Sequence, residues 1–377
     1  GGLAVPEDRQ QIILQRLGFV VTRSDPWKIS VPSWRRDVDG AADIVEEVVR
    51  IEGIDGVPST PLPRAPGVAK PTATAEQLIE RRARRTAAAR GLNEAVTWSF
   101  ISEREADALG GSAWILANPI SEEMKAMRPS LLPGLLAAAS RNAARGVERI
   151  ALFEIGRRYL EETERPTLGL LLAGPRAARH WRRGPGEVDA FDAKAEALAI
   201  LAAAGAPVDN LQVLGEAPSV YHPGQSGRLC LGPKNVLAEF GALHPDILKA
   251  FDLDGAVVAA EIFLDAVPQR RGGIGHMRSA YAPPPLQAVT RDFAFLVPDD
   301  LPADRLLRAV RGADKNAVVA AGLFDLFTGQ GVPEGQKSLA IEVVMQPSEK
   351  SFTDVELKAI ADRIVAAAAK LGAVLRA

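Results

Sequence analysis

Proline decides how this chain can fold. Five prolines crowd the stretch Val57–Pro71, at positions 58, 61, 63, 66 and 71, and three more follow one another at Pro283, Pro284 and Pro285. Each proline fixes φ and lacks a backbone donor, so neither stretch can sit inside a helix or a central strand. Both read as extended joints. They divide the 377 residues into a small first segment, residues 1–63, a large second one, residues 64–283, and a third, residues 284–377. That length suits two or three domains. With 47% hydrophobic and 24% charged residues there is material for real cores, and a disordered or fibrous chain is excluded. Apolar runs such as Leu168–Ala173 and Ile364–Ala369 are too short to cross a bilayer. The chain opens on Gly1 rather than Met, and Glu7, Asp8 and Arg9 interrupt the place of a secretion signal, so a fragment or processed chain is expected.

The expected fold class is α+β throughout. In the first segment Pro6-Glu7-Asp8 opens a helix that stops at Gly18, Trp27–Val31 alternates as a strand, and a helix runs from Ala41 to Glu52. In the second, Thr74 with Gln77 forms a capping-box signal for a helix ending at Gly91. Strand-like runs follow at Glu94–Ile101, Ala113–Ala117, Arg149–Leu160, Leu168–Gly174, Arg228–Leu231, Val236–Leu243 and Val257–Leu264, with helices at Leu131–Arg145 and Phe191–Ala204. Many strands with few helices predict a largely antiparallel sheet. The third segment reads strand, helix, strand, strand, helix, strand: Phe293–Val297, Ala303–Arg311, Val318–Phe327, Ser338–Met345, a helix opened by the capping pair Thr353 and Glu356, and Ala373–Leu375. That order is the ferredoxin-like βαββαβ pattern.

Few chemistries are open to such a chain. The lone Cys230 lies in an apolar run and excludes an internal disulfide or cysteine-cluster metal site. His222 and His244 each precede a proline, which suggests turns, and no His-x-x-x-His or Gly-x-Ser-x-Gly spacing occurs. The net charge of −2 gives no bulk attraction for nucleic acid. A local basic face remains at Arg81, Arg82, Arg84 and Arg85, and Arg179, Trp181, Arg182 and Arg183 form a basic-aromatic loop of no assigned role. The most pointed pattern is acidic. Asp43, Glu46 and Glu47 fall at i, i+3 and i+4, and Asp37 precedes them closely. Carboxylates so crowded need a cation, and hard oxygens favour Mg²⁺ or Ca²⁺; the same acids also suit a solvated helix start.

The stretch Val31-Pro-Ser-Trp-Arg35, Asp37, Asp43, Glu46-Glu47 and Arg50-Ile-Glu-Gly53 resembles the small metal-binding domain in the β subunit of bacterial phenylalanyl-tRNA synthetases. The resemblance continues through Asn118–Met124, Met127–Leu135, Phe153–Gly156, His222–Gly224, Gly241–Pro245 and Glu261, then through Arg291–Phe295 and Lys350–Glu356. It implies three parts: a small metal-binding domain truncated at its N-terminus, a catalytic-like scaffold resembling a class II synthetase sheet, and a ferredoxin-fold anticodon-binding domain. It further implies a magnesium ion on Asp37, Asp43, Glu46 and Glu47 near the catalytic α subunit, an (αβ)₂ heterotetramer, contact with tRNA(Phe), and a cytoplasmic location with no membrane or DNA partner. The complex would join phenylalanine to its tRNA with ATP. This chain would do no catalysis, because Leu152 stands where such a site needs an arginine and Gly272–Gly275 lacks the longer glycine-and-arginine pattern. Arg128 alone makes no phosphate clamp. Arg291, Lys350 and Phe293 are the expected RNA contacts, with Phe295, Phe324 and Phe327 as further aromatic candidates. Rival readings are a free-standing metal-dependent hydrolase and a pure assembly module.

Overall fold

The computed structural model describes residues 2–63, 72–112, 114–161, 163–181, 184, 186–215, 217–268 and 282–376. Pro66 and Pro71, Ala113, Arg182 and Arg183, and the run Gly272–Gly275 lie outside the described residues. The chain separates into two compact units, Gly1–Pro71 and Thr72–Ala377.

In the first unit, α1 (Glu7–Arg16) and α2 (Ala41–Glu52) accompany a hairpin of β1 (Val20–Thr22) and β2 (Lys28–Ser30). Ile13 and Leu14 from α1, Val48 from α2, and Phe19 and Val38 from the segments between the elements make its small core. Strand β1 has no strong sequence signal because only Val21 of its three residues turns inward.

The second unit begins with α3 (Ala75–Ala89), β3 (Asn93–Glu94), β4 (Phe100–Ile101), α4 (Glu103–Ala108), β5 (Ala126–Met127) and α5 (Leu132–Ala143). Long strands β6 (Ile150–Leu160) and β7 (Thr163–Ala173) form a hairpin, followed by α6 (Ala190–Ala204). Then come β8 (Gln212–Leu214), β9 (Tyr221–Leu231), β10 (Asn235–Leu243), α7 (Pro245–Ala250) and β11 (Val257–Phe263). Seven strands join in the order β3-β6-β7-β11-β10-β9-β8, every pair antiparallel except β3 with β6. Ile79, Ala83 and Ala87 of α3 and Ala193, Ala197 and Ile200 of α6 pack on one sheet face, together with Phe153 and Leu170. Leu132, Leu135 and Leu136 of α5 and Ile247 of α7 cover part of the other, over Leu171 and Ala259.

Three expectations change here. The run Glu94–Ile101 is not one strand: between β3 and β4 the chain turns so that Thr97 meets Glu154. The run around Ile115 makes only an isolated bridge to Ala126. His222 lies within β9 rather than at a turn, whereas His244 caps α7.

The same unit ends in β12 (Val289–Pro298), α8 (Ala303–Ala313), β13 (Val318–Phe327), β14 (Gln336–Met345), α9 (Asp354–Ala369) and β15 (Val374–Leu375). The sheet order β13-β14-β12-β15 is the ferredoxin-like arrangement. Phe295, Val297, Leu339, Ile341 and Val343 meet Leu306 and Val310 of α8 and Ile360 and Ile364 of α9 in one core. The Thr353–Glu356 capping box forms as the sequence predicts.

Candidate functional site

The acidic cluster forms, but around an arginine. Arg35 donates from Nη1 to Glu47 Oε2 and from Nη2 to Glu47 Oε1, both at 2.9 Å. Its Nε and Nη2 also reach Asp37, at 3.0 and 2.7 Å. Arg50 Nη2 adds a third donor to Glu47 at 2.7 Å. Glu47 is 5% exposed. Hydrogen bonds from Arg35 and then Arg50 hold its carboxyl down at about 2, against burial, which pushes the other way. Asp37 is lowered by Arg35. Asp43 is lowered differently: its Oδ2 accepts the backbone N–H groups of Asp39 and Gly40, at 3.0 and 2.8 Å, as an N-terminal helix cap. Glu46 is exposed.

This arrangement does not fit a metal shared by all four acids. Both oxygens of Glu47 and both of Asp37 are spent on guanidinium groups. Among the described residues no group of three His, Cys, Asp or Glu is placed to hold a metal ion. Arg35 supplies the cation that the crowded carboxylates need: it lies two residues before Asp37 and pairs with both Asp37 and Glu47.

The face of the seven-stranded sheet that carries Glu154 is plugged at its centre. Arg128 Nη1 donates to Glu154 Oε1 at 2.8 Å and to Thr97 Oγ1 at 3.0 Å, while Thr97 Oγ1 donates to Glu154 Oε2 at 2.7 Å. Arg128 Nε reaches the Arg157 carbonyl at 3.0 Å. A Cβ on Gly156 would stand 2.2 Å from Arg128 Nη2, so the guanidinium occupies the space that a side chain at this position of β6 would fill. A Cβ on Gly169 would stand 2.9 Å from the Leu131 Cβ. The Leu131 N–H in turn donates to buried Glu261 at 2.9 Å. Glycines that elsewhere let a ligand approach a strand here admit the chain's own side chains.

Beside this plug the face stays open. A cavity of about 380 Å³ is lined by Arg158, Arg165, Arg228, Lys234, Glu239 and Phe263. Sequence reading passed over this cluster because its members lie on five strands and a turn. The one signal was the hairpin symmetry that sets Arg158 opposite Arg165.

In the ferredoxin-like sheet, Arg291 is exposed on β12 and lines a cavity of about 460 Å³ with Phe293, Lys358 and Arg376. Phe293 is only 9% exposed and packs beside Phe295, rings parallel at 6.2 Å. Lys350 lies outside that cavity and pairs with Glu356 at 3.2 Å. Phe324 and Phe327 are the exposed aromatics, on edge strand β13. The face away from the helices carries Asp292 and Glu342, cross-strand partners in register, so its centre is acidic.

Residues 58–264 match the family model described as the phenylalanyl tRNA synthetase beta chain CLM domain. Residues 1–54 match the tRNA synthetase B5 domain and residues 284–376 the ferredoxin-fold anticodon binding domain. The chain is 62% identical over 384 residues to the phenylalanine–tRNA ligase beta subunit of Novosphingobium aromaticivorans, covering 100% of this chain and 48% of that one. It is 61% identical over 370 residues to that of Zymomonas mobilis, covering 98% and 46%. The beta subunit of Brucella abortus is 46% identical, covering 100% and 48%. The chain thus spans about half the length of the curated relatives it matches. Among solved structures, a pyrrolysyl tRNA synthetase of Desulfitobacterium hafniense gives a TM-score of 0.39 at 20% identity, over 50% of this chain and 65% of that one.

Proposed function

The chain belongs to the phenylalanyl-tRNA synthetase beta chain family, and from that premise we propose that it is a non-catalytic part of a phenylalanine–tRNA ligase. Its partners in this reading are the catalytic α subunit and tRNA(Phe), in an (αβ)₂ complex that joins phenylalanine to tRNA with ATP in the cytoplasm. The observation that carries the non-catalytic half of the proposal is the plug. Arg128 on Gly156 and Leu131 on Gly169 fill the middle of the sheet face from within the chain. The guanidinium that could have gripped a phosphate there is spent on Glu154 and Thr97. What remains is a scaffold: a rigid sheet that presents its other surfaces to a partner.

Residues 1–63, 64–283 and 284–377 take the roles of interface domain, scaffold and anticodon reader. In the last, Arg291 stands exposed at the rim of a groove that also holds Lys358 and Arg376, a basic edge suited to phosphates. Lys350, 74% exposed, adds a charge beside α9. Phe293 shapes the groove wall from the core. The magnesium implied by the family pattern enters this reading on one condition only: Arg35 must release Asp37 and Glu47 before all four acids can face one ion.

Charge reversal tests the RNA assignment. With Arg291→Glu and Lys350→Glu together, the account expects the affinity of tRNA(Phe) for the assembled complex to fall by roughly tenfold at moderate salt, with a shallower salt dependence. Unchanged affinity and unchanged charging would remove the anticodon role from these residues.

A further inference from the structure

The open part of the sheet face holds a second, unassigned arrangement. Arg158 is 8% exposed, and its Nε donates to Thr167 Oγ1 at 2.9 Å. Its guanidinium lies over the Phe263 ring, 4.3 Å from the centroid. Among the described residues it has no ion-paired carboxylate, and neither Nη has a hydrogen-bond partner. With its stem buried and its Nη donors open to the cavity, this guanidinium is placed to take an acceptor from solution. Arg158 and Arg165 are direct cross-strand partners, and like charges in that position repel. Of the nearby acids, Asp265 pairs with Arg165 at 2.6 Å and Glu239 with Arg228 at 3.0 Å, while buried Glu261, cross-strand from Glu239, accepts the Leu131 N–H. Lys234, exposed on the β9–β10 turn, closes the ring without an ion-pair partner among the described residues.

We propose that this cavity of about 380 Å³ binds a phosphoryl group, carried by a nucleotide or by an RNA backbone, between Arg158, Arg228 and Lys234. The chemistry favours phosphate over a single carboxylate. Of the four cationic side chains in the lining, Arg165 is balanced by Asp265 and Arg228 by Glu239, which leaves Arg158 and Lys234 with no ion-paired carboxylate among the described residues. Guanidinium forks match the oxygens of a phosphoryl group in pairs. The volume falls in the range of small-ligand sites. The site lies apart from the Arg128 plug and asks for no catalysis.

Calorimetric titration of the chain with inorganic pyrophosphate, with AMP and with tRNA(Phe) tests the proposal. Pyrophosphate should bind at one site. Lys234→Ala, an exposed substitution that leaves the core intact, should weaken it about three- to tenfold. Arg158→Gln should weaken it by more than about tenfold; should that variant fail to fold, Lys234→Ala decides. Loss of AMP binding in the same variants assigns the site to nucleotides. Loss confined to tRNA assigns it to an RNA backbone. Absence of any saturable binding, or binding that neither variant alters, overturns the proposal.

Discussion

Arg35 and Glu47 meet as a fork on a fork, two parallel hydrogen bonds of 2.9 Å, at the buried side of α2. The pair explains how the first unit tolerates Asp37, Asp43, Glu46 and Glu47 within a few residues. Arg35 bridges Asp37 to Glu47, Arg50 backs Glu47 from the next helical turn, and Asp43 accepts the backbone N–H groups of Asp39 and Gly40.

If Arg35 is the internal cation, the helix should not depend on a metal. Hydrogen exchange of Ala41–Glu52 in the whole chain should be the same with magnesium or with chelator. Arg35→Ala should speed that exchange and make it respond to magnesium, because Asp37 and Glu47 are then free to take an ion. Deprotection by chelator alone would show that a metal, not Arg35, holds the cluster.

The pH dependence follows from the same pair. Glu47 titrates at about 2 when folded against an ordinary 4.5. Its folded value is depressed, so its contribution to stability is full above about pH 4.5 and is lost as the pH falls towards 2. Glu47→Gln should be less stable than the parent at neutral pH, and the gap should close across that window. Urea unfolding at each pH reads it; a gap constant down to pH 2 contradicts the assignment.

Arg128 and Glu154 are both almost fully buried, 2.8 Å apart. Arg128→Met strands the carboxylate and should cost about 3–5 kcal/mol. Arg128→Met with Glu154→Leu should recover much of that loss, since a well-packed apolar pair can replace a buried ion pair. Thermal unfolding of the three proteins distinguishes this from a catalytic role, which the double variant could not rescue.

Gly174 closes β7 at φ +80°, and a Cβ there would stand 2.0 Å from the Glu148 carbonyl oxygen. Gly174→Ala should destabilise the second unit by roughly 1–3 kcal/mol, from the left-handed backbone and the displaced carbonyl. A melting temperature equal to the parent's would show that the Glu148 strand end is free to move.

Much of this fold is legible in local chemistry. The run Ala41–Glu52 forms the predicted helix, and Val318–Phe327 the predicted strand. The capping residues Thr74 and Thr353 act as their spacing requires. Strand ends are less legible, because they depend on partners. β7 begins five residues before Leu168, at Thr163, since β6 runs on opposite it, and β9 reaches back to Tyr221 through polar residues that pair with β10. The acidic cluster was visible as charge spacing, but its counter-ion was not. Nothing in the order Arg35, Arg36, Asp37 says which arginine turns inward; burial of Glu47 decides it. The aromatics of β12 were legible as a pair and misleading as a platform, because Phe293 and Phe295, two apart, share the covered face.

The most direct test of the account is phenylalanine-dependent ATP–pyrophosphate exchange, measured on the chain alone and on the chain co-purified with a bacterial phenylalanyl-tRNA synthetase α subunit. The account predicts a stable complex that exchanges, and no exchange by the chain alone. Exchange by the chain alone, or failure to form any complex with the α subunit, would contradict it.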